Sequence, residues 1–279
     1  MNTSSLKAFI DMTCNETNSR FSEPGEIEPL GIEGVTGRIS SIDSFALNCV
    51  GHSTLTEEAA EETIKKVINR YAERSKNFTW IVGPSSSPIN LGDMLEKSGL
   101  IKVDPNCMAG MYMPVSGPLP EANEEVIIEK KGISKLHEYA ALAASAYGFG
   151  ESPDAHYIRS KLIANSGDHG DLYLAFYGGS DEPVAYGVSV YYKKERIVIL
   201  QGSATIRKFR GKGIYTSLVA ARMKDAKLMG METAVIQAIK STSMSICQKI
   251  GFQKISDIDL YAYGLANEEH LRRVMSGSG

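Results

Sequence analysis

Apolar and polar positions along the chain change period several times, and each change marks an element. In the first forty residues short apolar groups alternate with Gly, Pro, Ser and Glu, as in Ser22-Glu23-Pro24-Gly25-Glu26, which reads as a helix followed by loop. Ser44 to Val50 has the composition of a strand. Thr56 is placed to cap the next helix, with Glu57 and Glu58 in its first turn and Ala60, Ile64, Val67 and Tyr71 spaced along one apolar face. Phe78 to Val82 reads as a buried strand, Leu91, Met94 and Leu95 as a short helix closed by Gly99, and Met108 to Met113 as a further strand. Ser116 to Asn123 has the composition of a linker.

The second half is more regular. The pattern predicts helices over Lys135–Tyr147 and Asp154–Ala164, then a hairpin of Leu172–Tyr177 and Pro183–Tyr192 turning at Gly178-Gly179-Ser180-Asp181. Arg196 to Ile206 is the next strand, and a long helix follows from about Gly213 to Leu228. Ala234–Ala238 is a short strand, Met244–Ile250 a helix stopped by Gly251, and Ile258–Tyr263 a last strand. Strands alternating with helices, plus a hairpin, predict an α+β fold: a mixed, mostly antiparallel sheet flanked by helices. The order of helix, apolar strand, short helix and Gly before a large apolar residue occurs twice (Gly99-Leu100 and Gly251-Phe252), which predicts a duplicated unit. We therefore expect two domains, 1–122 and 123–279, since a chain of 279 residues exceeds one domain of ~100–150.

Composition changes this picture little. Hydrophobic residues at 43% and charged residues at 23% allow a substantial core, and 30 basic against 33 acidic side chains give a charge of −3, so nothing global draws the chain to nucleic acid or an anionic membrane. Cys14, Cys49, Cys107 and Cys247 form no CxxC pair, which fits neither a disulfide framework nor a zinc site and points to a reducing cytoplasm. No signal-like N-terminus is present, and no run approaches the ~20 apolar residues of a membrane-spanning helix. The five histidines show no metal-ligand spacing, and no Gly-x-Ser-x-Gly elbow offers a serine nucleophile. The run Tyr173, Tyr177, Tyr186, Tyr191 and Tyr192 is first of all sheet packing.

The stretch that carries chemistry is Ser203 to Tyr215, where a strand passes into a helix through Arg210-Gly211-Lys212-Gly213-Ile214. Closely spaced glycines let successive N–H groups face phosphate oxygens, the helix N-terminus adds roughly half a positive charge, and Arg210 and Lys212 add more. Neither a GxGxxG opening an N-terminal βαβ unit nor a Gly-Lys-Ser/Thr loop is present, so dinucleotide and P-loop readings drop out.

Together with Ala204-Thr205 before it, and Leu218 to Arg222, Gly230, Val235 to Ala238 and Ile250-Gly251-Phe252 after it, this loop resembles that of the GNAT superfamily, the Gcn5-related N-acetyltransferases. The likeness runs from Glu125 to Tyr263, and the N-terminal half is similar to the degenerate repeat of tandem GNAT proteins. Tyr215 stands where the family loop ends on a small residue; Lys208-x-x-Gly211-x-Gly213 is the alternative frame. The resemblance implies a GNAT fold and transfer of acetyl from acetyl-CoA to an amine. The backbone of Ala204, Thr205 and Ile206 would hold the pantetheine arm, and Arg210 to Tyr215 the pyrophosphate. One turn before Gly251, where many members have a tyrosine that protonates the leaving thiolate, this chain has Cys247, with Ser243, Ser245, Tyr261 and Tyr263 as substitutes. Glu151 and Glu195 are the candidate bases, and no metal is called for. The expected partner is a small-molecule or peptide amine, with no nucleic acid and no membrane, and the chain acts as a monomer or homodimer. A catalytically silent acyl-CoA binder is the alternative. Gly51 to Thr56, lacking basic residues and paired glycines, is expected not to bind CoA.

Overall fold

A computed structural model describes residues 3–15, 26–103, 107–147, 152–166 and 168–264. Helix α1 (Thr3–Asn15) opens the chain, followed by β1 (Ile27–Pro29), β2 (Val35–Ser40) and β3 (Cys49–Ser53). Helix α2 (Glu57–Ala72) leads to β4 (Phe78–Val82), α3 (Leu91–Lys97), β5 (Ile101–Lys102), β6 (Met108–Pro114) and β7 (Val126–Gly132). A 3-10 segment, Ile133–Tyr139, runs into α4 (Ala140–Tyr147), and α5 (Pro153–Ala164) comes next. Then come β8 (His169–Tyr177), β9 (Ala185–Tyr192), β10 (Ile197–Thr205), α6 (Ile214–Leu228), β11 (Thr233–Ile239), α7 (Ser243–Ile250) and β12 (Gln253–Tyr263).

Three sequence expectations are corrected. Ser44 to Val50 is not one strand: the Ser44 carbonyl accepts from the N–H groups of Leu47 and Asn48, and its hydroxyl accepts from Leu47 N, so a local turn wins and the strand starts at Cys49. The loop expected before residue 40 contains β1 and β2, too short and too interrupted by polar residues for a period-2 signal. The expected helix from Lys135 begins as the 3-10 segment. Strand β7 carries no clear strand signal in its sequence because its second half is Glu129-Lys130-Lys131, an edge-like pattern.

The chain divides into two compact units, one drawing on Met1–Gly110, Gln237–Ser245 and Lys254–Gly279, the other on Met111–Ile236 and Ile246–Gln253. In the first unit β1, β2 and β3 pair antiparallel, β3 and β4 pair parallel across α2, and β12 pairs antiparallel with β4. Its core is built around Trp80, whose indole N–H donates to Ser53 Oγ at 3.0 Å, and around Tyr71, which stacks on Phe78 and donates its hydroxyl to Arg38 O at 2.8 Å. Both polar tips are satisfied, so these large rings bury without stranding a donor.

In the second unit β7, β8, β9 and β10 pair antiparallel in turn, and β10 pairs parallel with β11 across α6. Strands β8 and β9 are buried nearly throughout because both faces are covered, which is why their sequences are continuously apolar rather than alternating. On one face Leu172, Leu174, Tyr186 and Val188 pack with Leu136, Ala143 and Ile163; on the other, Tyr173, Ala175 and Ala185 pack with Ile214 and Leu218 of α6.

Candidate functional site

Strand β10 enters the site with two irregularities. It pairs with β11 over Ile197 to Ile199 only, while its pairing with β9 continues to Thr205, opposite Ala185. Between Gln201 and Ala204 the β9 register slips, so β10 carries an extra residue, and Gly202 takes φ 59° there. A bulge of this kind re-aims the groups on either side of it. Ala204 and Thr205 are buried, and Thr205 Oγ1 is buried with no hydrogen-bond partner.

A 3-10 turn at Arg207–Phe209 then leads to the glycine loop. Gly211 and Gly213 have φ of 77° and 71°, and Gly213 is the N-cap of α6 with no side-chain hydrogen bond and no acidic residue in the first turn. The leading N–H groups of α6 are therefore left for an outside acceptor, with the helix dipole behind them and Lys212 exposed beside them. Asn123, in the stretch that reads as a linker, braces the loop: its Nδ2 donates to Lys212 O at 2.8 Å and its backbone N to Ser217 Oγ at 2.9 Å. Arg210, though exposed, folds back on the protein. Its Nε donates to Thr205 O at 3.1 Å and Nη2 to Ala146 O at 3.0 Å, so the side chain ties the loop to the end of β10 and to α4, and Lys212 is the loop cation left free to meet an anion.

Cys247 is fully buried on α7, and its sulfur lies 3.5 Å from the Tyr215 hydroxyl. Burial raises the thiol, with the Tyr215 hydrogen bond and the Arg222 charge pulling it back, and burial beside Cys247 raises the phenol as well. The two residues at which this sequence departs from the family pattern thus touch each other. Glu195 sits in the β9–β10 turn next to Ile197; at ~3.3 Å per residue that end of β10 is roughly 20 Å from the Ala204 bulge, so Glu195 is not brought to the loop. Glu151 lies outside the described residues. Tyr261 and Tyr263 pack in the core of the first unit, and the Ser243 hydroxyl accepts from Ile239 N.

Two buried polar groups were not singled out by the sequence. The His156 ring stacks on Tyr147 at 5.6 Å, and Tyr147 meets Tyr186, the cross-strand neighbour of Ala204, at 6.2 Å. His156 Nε2 is buried without a partner, and burial, helped by Arg159, pushes the imidazole down to about 4. The other is Arg222, fully buried on α6. A histidine on an apolar helix face and an arginine among alanines carry no signal of this in sequence. Among the described residues no cluster of His, Cys, Asp or Glu is arranged to hold a metal, and no helix is long and apolar enough to cross a membrane.

No protein-family model matches the chain. No curated protein matches it. Solved structures do. A GCN5-related N-acetyltransferase from Kribbella flavida is similar with a TM-score of 0.66 and 13% identity, over 96% of this chain and 97% of that one. A tandem GNAT protein from the clavulanic acid biosynthesis pathway, solved without AcCoA, is similar with a TM-score of 0.61 and 12% identity over 91% and 87%. A GCN5-related N-acetyltransferase from Sphaerobacter thermophilus reaches 0.60 and 12% over 83% and 80%. Identities this low establish the fold: the chain has the mixed-sheet fold of GNAT acetyltransferases, as the glycine loop implied.

Proposed function

We propose that the chain is an N-acyltransferase that moves acetyl from acetyl-CoA to a primary amine on a small molecule or peptide. The observation that carries this reading is the uncapped N-terminus of α6, preceded by Gly211-Lys212-Gly213 and fed by a bulged strand that leaves its parallel neighbour after Ile199. Open helix N–H groups and Lys212 suit a pyrophosphate, and a strand with one edge released can offer backbone N–H and C=O groups to an extended amide-bearing arm. In this reading Ala204, Thr205 and Ile206 hold the pantetheine arm beside the bulge. The amine nitrogen bonds to the thioester carbonyl carbon, the C–S bond breaks with its electron pair on sulfur, and the ammonium proton is lost to water or returned to the thiolate. Positioning supplies much of the acceleration, so few side chains need to act.

Cys247 and Tyr215 favour a second reading, a catalytically silent acyl-CoA binder, because both are buried and raised away from easy proton transfer. Purified protein incubated with acetyl-CoA and a broad panel of amines, with release of free thiol followed, separates the two. Turnover on any amine supports the transferase. CoA binding without turnover across the panel supports the silent binder, and absence of CoA binding removes both.

A further inference from the structure

Arg222 has no solvent exposure. Its Nε donates to Leu218 O at 3.0 Å, one turn back on α6, and Nη1 donates to Ser203 Oγ at 2.7 Å and to Val188 O at 3.4 Å. Nη2 is buried with no hydrogen-bond partner. The guanidinium lies against the backbone of β9 at Gly187, where an added Cβ would come within 3.0 Å of Cζ, so the absence of a side chain there makes its room.

No carboxylate pairs with this cation among the described residues. Asp225, one turn on, is taken by Lys130 at 2.9 Å and by the Tyr173 hydroxyl at 2.8 Å. The ionisable groups whose charge Arg222 feels are Tyr215, Tyr173, Cys247 and Tyr191, phenols and a thiol that are uncharged near neutrality. A guanidinium remains protonated in proteins, and a buried charge with no counter-charge is strongly disfavoured where leucine or methionine would fill the same space. What sets the position apart is its neighbour. Ser203 lies in the β10 bulge, on the stretch that has left β11, and Tyr215 and Cys247, whose hydroxyl and sulfur lie 3.5 Å apart, are among the groups that interact with the Arg222 charge.

We propose that Arg222 is the counter-charge for the CoA thiolate that acyl transfer releases. The inference rests on the acyl-CoA reading above. As the amine nitrogen bonds to the carbonyl carbon and the C–S electron pair moves to sulfur, negative charge appears beside the bulge, where the fixed cation favours it without giving up a proton. Preorganised charge of this kind is worth most where water is excluded. It acts through Ser203 and the low-dielectric interior and is a positioning residue; Cys247 and Tyr215 need not ionise.

The test is the titration of CoA bound to the full-length protein, read by thiolate absorbance with the desulfo-CoA complex subtracted to remove the protein's own thiols and phenols. In the wild type the bound thiol is expected to ionise about one pH unit or more below free CoA, a tenfold shift in its ionisation constant. Arg222→Met should abolish the shift while leaving the Kd for desulfo-CoA within about threefold, and Arg222→Lys should restore part of it. A wild-type bound thiol that ionises at or above the free value overturns the proposal with no variant needed. So does an Arg222→Met variant that keeps the wild-type titration, or one that loses affinity for succinyl-CoA alone, which would assign the charge to an acyl carboxylate. If desulfo-CoA and CoA both fail to bind the wild type, the acyl-CoA reading itself falls and this inference with it.

Discussion

Each unit carries the same crossover: a strand, a helix, and a second strand parallel to the first. In one it is β3, α2 and β4; in the other, β10, α6 and β11. The likeness extends to a defect. Val50 to Ser53 of β3 spans three steps against two on β2, from Gly37 to Val35, just as Gln201 to Ala204 does against β9. What differs is the helix entrance. Only Thr54, Leu55 and Thr56 separate β3 from α2; Thr56 Oγ1 accepts from Ala59 N at 3.3 Å, and Glu57 and Glu58 fill the first turn. The Glu58 carboxylate is held below its ordinary range by hydrogen bonds from its own N–H and from Thr56. Helix α2 therefore holds its own anions, whereas α6, entered through Gly211-Lys212-Gly213, has none. One backbone plan thus gives a closed helix end in one unit and an open one in the other, and the choice is made by a few residues before the first turn.

The most direct way to break this contrast is to give α6 the closed end that α2 has. In Gly213→Asp, aspartate is among the residues that best tolerate φ 71°, and Asn123 Cβ, 3.3 Å from the new Cβ, must yield only slightly, so the protein should fold. Its carboxylate would occupy the place that the proposed function gives to a phosphate. CoA affinity by titration calorimetry is expected to fall on the order of a thousandfold, about 4 kcal/mol. Undiminished affinity in that variant would place the cofactor elsewhere and remove the contrast.

A second asymmetry is histidine burial. The His52 side chain in the first unit is 33% exposed, whereas His156 in the second is 4% exposed with its imidazole pushed down to about 4. Folding then opposes protonation: the unfolded chain takes up a proton near pH 6.5, the folded one only near pH 4. The stabilisation is complete above pH 6.5 and is lost as pH falls from 6.5 to 4, on the order of 3 kcal/mol in all. Denaturant melts of His156→Phe should show a shallower acid limb across that window than the wild type. Parallel limbs would mean that the imidazole is not held neutral by burial.

Local chemistry was legible in the sequence; consequences of packing were not. The Thr56 cap, the apolar face from Ala60 to Tyr71 and the glycine turn that leads into α6 each follow from residue types at fixed spacing, and each is found where the sequence puts it. The bulges in β3 and β10 leave no local mark, since an extra residue in a strand is defined only against its partner. Arg210 and Lys212 read alike as loop cations, yet one is drawn to the carbonyls of Thr205 and Ala146 and the other is free, a difference set by α4, which is distant in sequence. In sequence Arg222 is one residue of a helical run; arginine is ordinarily solvated, and its burial depends on Gly187 two strands earlier.

The smallest effect is the sharpest test of the division of labour. Thr56→Ala removes one hydroxyl and frees Ala59 N, without touching the apolar face of α2 or the parallel pairing of β3 with β4. An N-cap lost to alanine costs about 1 kcal/mol, and the Glu57 and Glu58 carboxylates remain to complement the dipole, so the helix persists. Thermal or denaturant unfolding should register that loss. If the α2 entrance serves only to close its helix, CoA affinity and the rate of thiol release should stay at the wild-type value. A variant that keeps its stability but binds CoA more weakly would show that the α2 entrance does more than close its helix, and the contrast between the two crossovers would fall.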